Sequence, residues 1–163
     1  MNQLAAQLGA ALHEHGMLLA TAESCTGGGV ATAVTEIAGS SAWFERGFVT
    51  YANQAKVDML AVSVDTLVRF GAVSEATVRE MVEGALQHSQ AHIALAVSGI
   101  AGPGGGTPEK PVGTIWFAWG IRGEASVAQR HLLAGNRAEI RQQAVHIALQ
   151  GVIDLLQKRT SIA

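Results

Sequence analysis

Cysteine is nearly absent from this chain: among 163 residues Cys25 stands alone. No internal disulfide can form, and a reducing cytoplasm is the expected setting. Charge is sparse and balanced, with 11 Lys and Arg against 13 Asp and Glu. That balance offers no basic surface for nucleic acid, so no nucleic-acid partner is expected. No apolar run reaches the roughly 20 residues of a membrane helix, so no membrane partner is expected either. The opening Met1-Asn2-Gln3-Leu4 lacks the basic stretch and apolar core of a secretory signal. The six histidines join no Cys/His ligand set. A zinc site is therefore not expected. No cluster of aspartates suggests magnesium, which weighs against a phosphatase.

What is abundant is apolar residues, at 48%, and glycine, at 19 residues. A chain of this size and composition can bury a core without staples, so one domain over residues 1–163 is expected. The glycines gather at 27–29, 99–106 and 113–135, which suggests shaped backbone at sites. Leu4, Ala5, Leu8, Ala11 and Leu12 predict a helix over 3–14. A buried strand follows at 17–22, then a helix from the glycines to Ile37 and a strand from Phe44 to Tyr51. Asn53 is read as the cap of a helix over 54–61. A short helix at 65–70 stops at Gly71, and Ser74 starts another that runs to about His88. Ile93–Val97 reads as the central strand. Strands at 112–120 and 125–133 form a hairpin turning at Arg122-Gly123, and a last helix spans 136–158. This alternation predicts an α/β fold with a mixed, mostly parallel sheet covered by helices.

Ser24 falls where a strand ends and a glycine-started helix begins. Ligand sites in such sheets lie beyond the carboxyl ends of strands. The first amides of a helix are unpaired and can hold a phosphate or an oxyanion. A serine there is a nucleophile if a base takes its proton. The alternative reading is a plain helix cap by Ser24 or Thr26. The surrounding pattern is neither the G-x-S-x-G elbow nor the Walker loop. Cys25 is a rival nucleophile. In an extended segment only one of the pair would face the cleft.

All six histidines lie in or at the ends of predicted helices and strands. Lys56 is the more telling base. In the first turn of its helix the dipole disfavours a cation, and burial would favour the neutral amine. Tyr51 stands just before, where its phenol could relay a proton or orient the lysine. The competing reading makes Lys56 a surface lysine and Tyr51 a residue packing at a strand edge.

Several strings then line up in order. They are Thr21-Ala22-Glu23-Ser24-Cys25-Thr26-Gly27-Gly28, Gly39-Ser40-Ser41-Ala42-Trp43-Phe44, and Gly47-Phe48-Val49-Thr50-Tyr51-Ala52-Asn53 with Lys56. Gly71-Ala72-Val73-Ser74, Ser98-Gly99-Ile100-Ala101-Gly102-Pro103 and Lys110-Pro111-Val112-Gly113-Thr114 follow. Together they resemble the CinA C-terminal domain family of nicotinamide-nucleotide amidases over nearly the whole chain. The resemblance implies a three-layer α/β/α domain. It implies hydrolysis of the carboxamide of nicotinamide mononucleotide to nicotinate mononucleotide and ammonia, within pyridine nucleotide recycling. It implies Ser24 as nucleophile, with Lys56 and Tyr51 as its activating set. Ser98 would contact the reacting group or help hold the oxyanion, and Arg137 and Arg141 match a basic stretch near the last helix. Glu23, Thr26, Gly27, Gly28, Gly99 and Gly102 complete the expected substrate-binding set, with Glu23 positioning Lys56 or a loop amide. No metal or cofactor is expected. The partner is a small nucleotide, and a homodimer or other homo-oligomer is the default assembly. The rival reading of the whole chain is a non-catalytic module that senses pyridine nucleotides.

Overall fold

The structure, a computed structural model, describes the backbone of residues 1–162 and the side chains of residues 1–159. Its helices are α1 (Asn2–His15), α2 (Gly29–Thr35), α3 (Asn53–Leu60), α4 (Val64–Phe70), α5 (Glu75–Gln87) and α6 (Arg137–Ile162). Its strands are β1 (Leu19–Glu23), β2 (Phe44–Val49), β3 (Ile93–Gly99), β4 (Thr114–Ile121) and β5 (Val127–Leu132). The five strands form one sheet in the order β2-β1-β3-β4-β5. β1 pairs in parallel with both β2 and β3, and β4 is antiparallel to β3 and β5. Only β4 therefore opposes the common strand direction, as the mixed, mostly parallel expectation had it.

The two faces of the sheet carry different side chains, because successive residues of a strand point to opposite sides. Leu19, Ile93, Leu95, Val97, Ile115, Phe117 and Trp119 pack against α1, α2 and α6. Ala20, Ala22, Ala94, Ala96 and Ala118 make up the other face, under α5. Helices thus cover both faces, giving three layers. The alanine face leaves little side-chain bulk between sheet and helix. The closeness extends to α3, because a Cβ on Gly84 of α5 would lie 1.9 Å from the carbonyl oxygen of Leu60.

Helix ends follow local chemistry. Ser74 caps α5, accepting from the Thr77 amide at 3.2 Å. Asn136 and Glu139 form a reciprocal capping box at the start of α6, each side chain accepting from the other's amide at 2.9 Å. Gly71 (φ 77°) ends α4, and the hairpin turns at Arg122-Gly123, closed by a hydrogen bond from Glu124 to Ile121. Three expectations change. The first strand begins at Leu19, because the Met17 amide closes the C-terminus of α1 on Leu12. Ala52, not Asn53, is the residue before α3, and it offers no side-chain cap. The second strand ends at Val49: the Thr50 amide still bonds Glu23 of β1, but the Thr50 and Tyr51 carbonyls turn to another use.

Candidate active site

The chain passes from β1 to β2 over one face of the sheet, through α2, and returns from β2 to β3 over the other, through α5. Right-handed crossovers demand opposite faces for opposite directions. The crevice beyond the carboxyl ends of β1 and β3 is consequently a topological switch point, where open α/β sheets place ligands. Ser24 sits at its lip. Its amide extends the ladder onto Val97 at 3.0 Å, and the Thr50 amide bonds the Glu23 carbonyl at 2.8 Å.

The segment 24–28 folds back tightly. Gly27 donates to Ser24 and Gly29 to Thr26. Gly27 (φ 59°) and Gly28 (φ 98°) are both in left-handed geometry, which glycine adopts without strain. No side chain caps α2 at Gly28. Glu23 does so from the preceding strand: wholly buried, it accepts from the Thr26 hydroxyl at 2.6 Å and from the Val30 and Ala31 amides at 2.8 and 3.1 Å. A carboxylate at this end also suits the helix dipole. Glu23 thus braces the loop from behind and takes no hydrogen bond from Lys56.

Lys56 is fully buried, with 0% of its surface exposed. Its Nζ lies 2.7 Å from the Thr50 carbonyl, 3.2 Å from the Tyr51 carbonyl and 3.1 Å from Ser24 Oγ. Among the described residues no carboxylate pairs with it. Burial lowers its pKa below the ordinary lysine value. A neutral amine has two N–H donors and one lone pair. The two carbonyls consume the donors, and the lone pair is left facing the Ser24 hydroxyl. Cys25 behaves differently: burial pushes its thiol up to about 11, so at neutral pH it is not the thiolate that nucleophilic attack requires.

Ser24, Tyr51, Lys56, Ser98, Gly99, Gly102 and Arg137 all line one cleft of about 280 Å³. Cys25 lines it as well, because residues 25–28 turn instead of running extended. The Ser98 hydroxyl has no hydrogen-bond partner among the described residues. Arg137 bridges the mouth, donating to the Gly102 carbonyl at 2.7 Å and to the Tyr51 phenol at 3.4 Å. Tyr51 is 63% exposed; its phenol faces Arg137 while its backbone carbonyl faces Lys56. Glu23, Thr26, Gly27, Gly28 and Arg141 are not brought to the cleft wall. Arg141 lies behind the loop, with Nε on the Cys25 carbonyl at 3.0 Å and Nη2 on the Thr26 carbonyl at 3.3 Å. Sequence reasoning missed the Thr50 carbonyl, which no side-chain pattern announces. It also missed Ala72 and Val73 on the opposite wall, although their string was itself distinctive.

Among the described residues no group of three or more His, Cys, Asp or Glu is arranged to hold a metal ion. No helix is long and apolar enough to cross a membrane.

Comparison with known proteins gives a consistent picture. The family model described as the CinA C-terminal domain matches residues 1–156. The chain is 53% identical over 148 residues to the nicotinamide-nucleotide amidohydrolase PncC of Escherichia coli K12, covering 91% of this chain and 90% of that one. It is 49% identical to the protein of the same name from Pseudomonas putida, covering 93% and 94%. Among solved structures, the competence/damage inducible protein CihA from Agrobacterium tumefaciens superposes with a TM-score of 0.92 at 48% identity, over 94% of both chains.

Proposed function

Because the chain belongs to the CinA C-terminal domain family, we propose that it hydrolyses the carboxamide of nicotinamide mononucleotide, releasing nicotinate mononucleotide and ammonia in pyridine nucleotide recycling. The observation that carries this reading is the 3.1 Å contact between Ser24 Oγ and the buried Lys56 amine. That amine's two other neighbours are both carbonyl acceptors.

Lys56 accepts the Ser24 proton as Oγ bonds to the carboxamide carbon. The carbonyl electron pair becomes an oxyanion, held by backbone amides. The Cys25 amide suits this role, since Cys25 lines the cleft and its amide donates to no backbone carbonyl among the described residues. Collapse of the oxyanion breaks the C–N bond, and the nitrogen leaves as ammonia with the proton from Lys56. Water, deprotonated by the same amine, then hydrolyses the ester and restores Ser24. Ser98, which lines the same cleft, contacts the reacting group in this reading.

Arg137, the Tyr51 phenol and the glycine loop from Ala101 to Gly105 form the phosphate end of the cleft. The amides of Ala101, Gly102, Gly104 and Gly105 have no acceptor among the described residues, and such exposed amides cradle anions. A guanidinium adds a bidentate partner. Tyr51 thus serves the serine through its carbonyl and the substrate through its ring.

The test is ammonia release from nicotinamide mononucleotide. Ser24→Ala should lower kcat by ~10⁴-fold or more, and Lys56→Ala by about 10²–10⁴-fold. Full activity in Ser24→Ala would end the nucleophile assignment. A wild-type protein that binds the nucleotide but releases no ammonia would favour the sensor reading.

A further inference from the structure

Two of the distinctive strings, Gly71-Ala72-Val73-Ser74 and Lys110-Pro111-Val112-Gly113-Thr114, play no part in the steps at Ser24. A single side chain joins them. Lys110 Nζ donates to the carbonyl of Phe70, the last residue of α4, at 2.7 Å. Among the described residues no other hydrogen bond links the loop between β3 and β4 to the turn between α4 and α5. Both segments line the Ser24 cleft, the loop through Gly102, Gly104 and Gly105 and the turn through Ala72 and Val73. Lys110 itself is not among the lining residues.

Both ends of this bond are anchored. On the loop side, the Thr107 amide donates to the Lys110 carbonyl at 2.9 Å, and the Lys110 amide donates to Thr107 Oγ1 at 3.0 Å. On the turn side, the Gly71 carbonyl accepts from the Ser74 and Thr77 hydroxyls at 3.0 and 2.7 Å, which ties the turn to the start of α5. A Cβ on Gly71 would lie 3.2 Å from Lys110 Nζ, so the ammonium is seated against the turn. A cation at the carboxyl end of α4 also suits the helix dipole. The loop between has little else to order it. Its stem closes where Ile100 donates to Thr114 and Gly113 to Ile100, and residues 103–109 are exposed. Beyond the stem its outward ties are Arg137 on the Gly102 carbonyl and Lys110 on the Phe70 carbonyl. Fixing a loop costs conformational entropy, and binding is tighter when that ordering precedes the ligand.

We infer that Lys110 is a positioning residue, which ties the glycine loop to the Ala72-Val73 turn and so sets the cleft for the nucleotide before it binds. The inference rests on the amidase reading of the Ser24 cleft. Lys110 acts through the loop and the turn, not by touching the substrate or the reacting atoms. An interaction of that kind serves the ground state and the transition state equally, so its loss raises KM and leaves kcat in place.

The experiment compares Lys110→Met and Lys110→Arg with wild type, using nicotinamide mononucleotide. Methionine keeps an unbranched stem but has no donor, whereas arginine restores both charge and donors. Lys110→Met should raise KM roughly 5–10-fold, as the loss of one solvent-exposed hydrogen bond would, with kcat within about twofold of wild type. Lys110→Arg should recover most of that loss. Wild-type kinetics in Lys110→Met would overturn the inference, as would a fall in kcat with KM unchanged. A readout independent of substrate is the set of ¹⁵N order parameters of the free protein. In Lys110→Met the Ala72, Val73, Gly104 and Gly105 amides should become more mobile together, while those of β1 and β3 stay rigid. A raised KM with these order parameters unmoved would make Lys110 a direct contact of the nucleotide and overturn the inference. Loosening of one segment without the other would overturn it too. Because the free protein is measured, this holds even if the chain proves to have no amidase activity, and the two failures are distinguishable.

Discussion

A lysine with two carbonyl acceptors and one hydroxyl neighbour has a charge state decided by its burial. For Lys56 burial pulls the folded pKa below that of the unfolded chain. Between those two values the unfolded lysine keeps a proton that the native one has released. Stability therefore rises with pH across that window, and the penalty of a desolvated ammonium is fully felt below it. Activity should follow the same group. The acid limb of kcat/KM should have unit slope and a midpoint below the ordinary lysine value of about 10.4. A pH–rate profile with no such limb, or with one at the ordinary value, would remove Lys56 as the base. At this scale the sequence was informative about residue types and less so about which atom acts. Ser24 and Lys56 were legible as a pair. That Tyr51 meets the lysine through its carbonyl was not, because backbone acceptors belong to every residue. Arg137 and Arg141 look equivalent in sequence, and only the direction of each side chain separates them.

Elements set the distances between these residues. Lys56 rides on α3, and α3 is held by α5 at the bare backbone of Gly84. Gly84→Ala should lower stability by about 1–3 kcal/mol, the usual cost of overpacking, measured by denaturant unfolding. Activity should fall with it in the folded fraction, because the added methyl pushes on the Leu60 turn of the helix that carries the base. If Gly84→Ala matches wild type in both, α3 does not depend on that contact. The elements themselves were largely legible, since continuous apolar strands and the Ser74 and Gly71 signals mark their ends. Of the three boundaries that changed, the start of the first strand reflects the end of α1, and the other two fell at Asn53 and at Thr50-Tyr51. In both places the chain leaves its regular pattern to build the lysine site, and local propensity carries no record of a long-range partner.

For the whole molecule, the reversal of strand order at β1, with β2 added on one side and β3 on the other, gathers the site. It brings together the ends of three parallel strands, one glycine loop and the start of the last helix. Alternation of helices and strands foretold the layers. Strand order did not follow from it, because no local signal says that β3 returns to pair with β1.

The pairing of β1 with β2 contains one irregularity, between Leu19 and Ala20, where Phe44 and Arg46 are the successive partners and Glu45 is the extra residue. From Ala20 to Glu23 the register is then unbroken up to Val49. This makes strand β2 a ruler with slack at one end only. An added residue near Glu45 falls where the ladder already absorbs a surplus. The same addition between Arg46 and Thr50 slides the two lysine-holding carbonyls by about 3.3 Å relative to Ser24. A pooled scan of single-residue insertions, scored by ammonia release, should therefore show survivors around position 45 and a depleted stretch from 46 to 51.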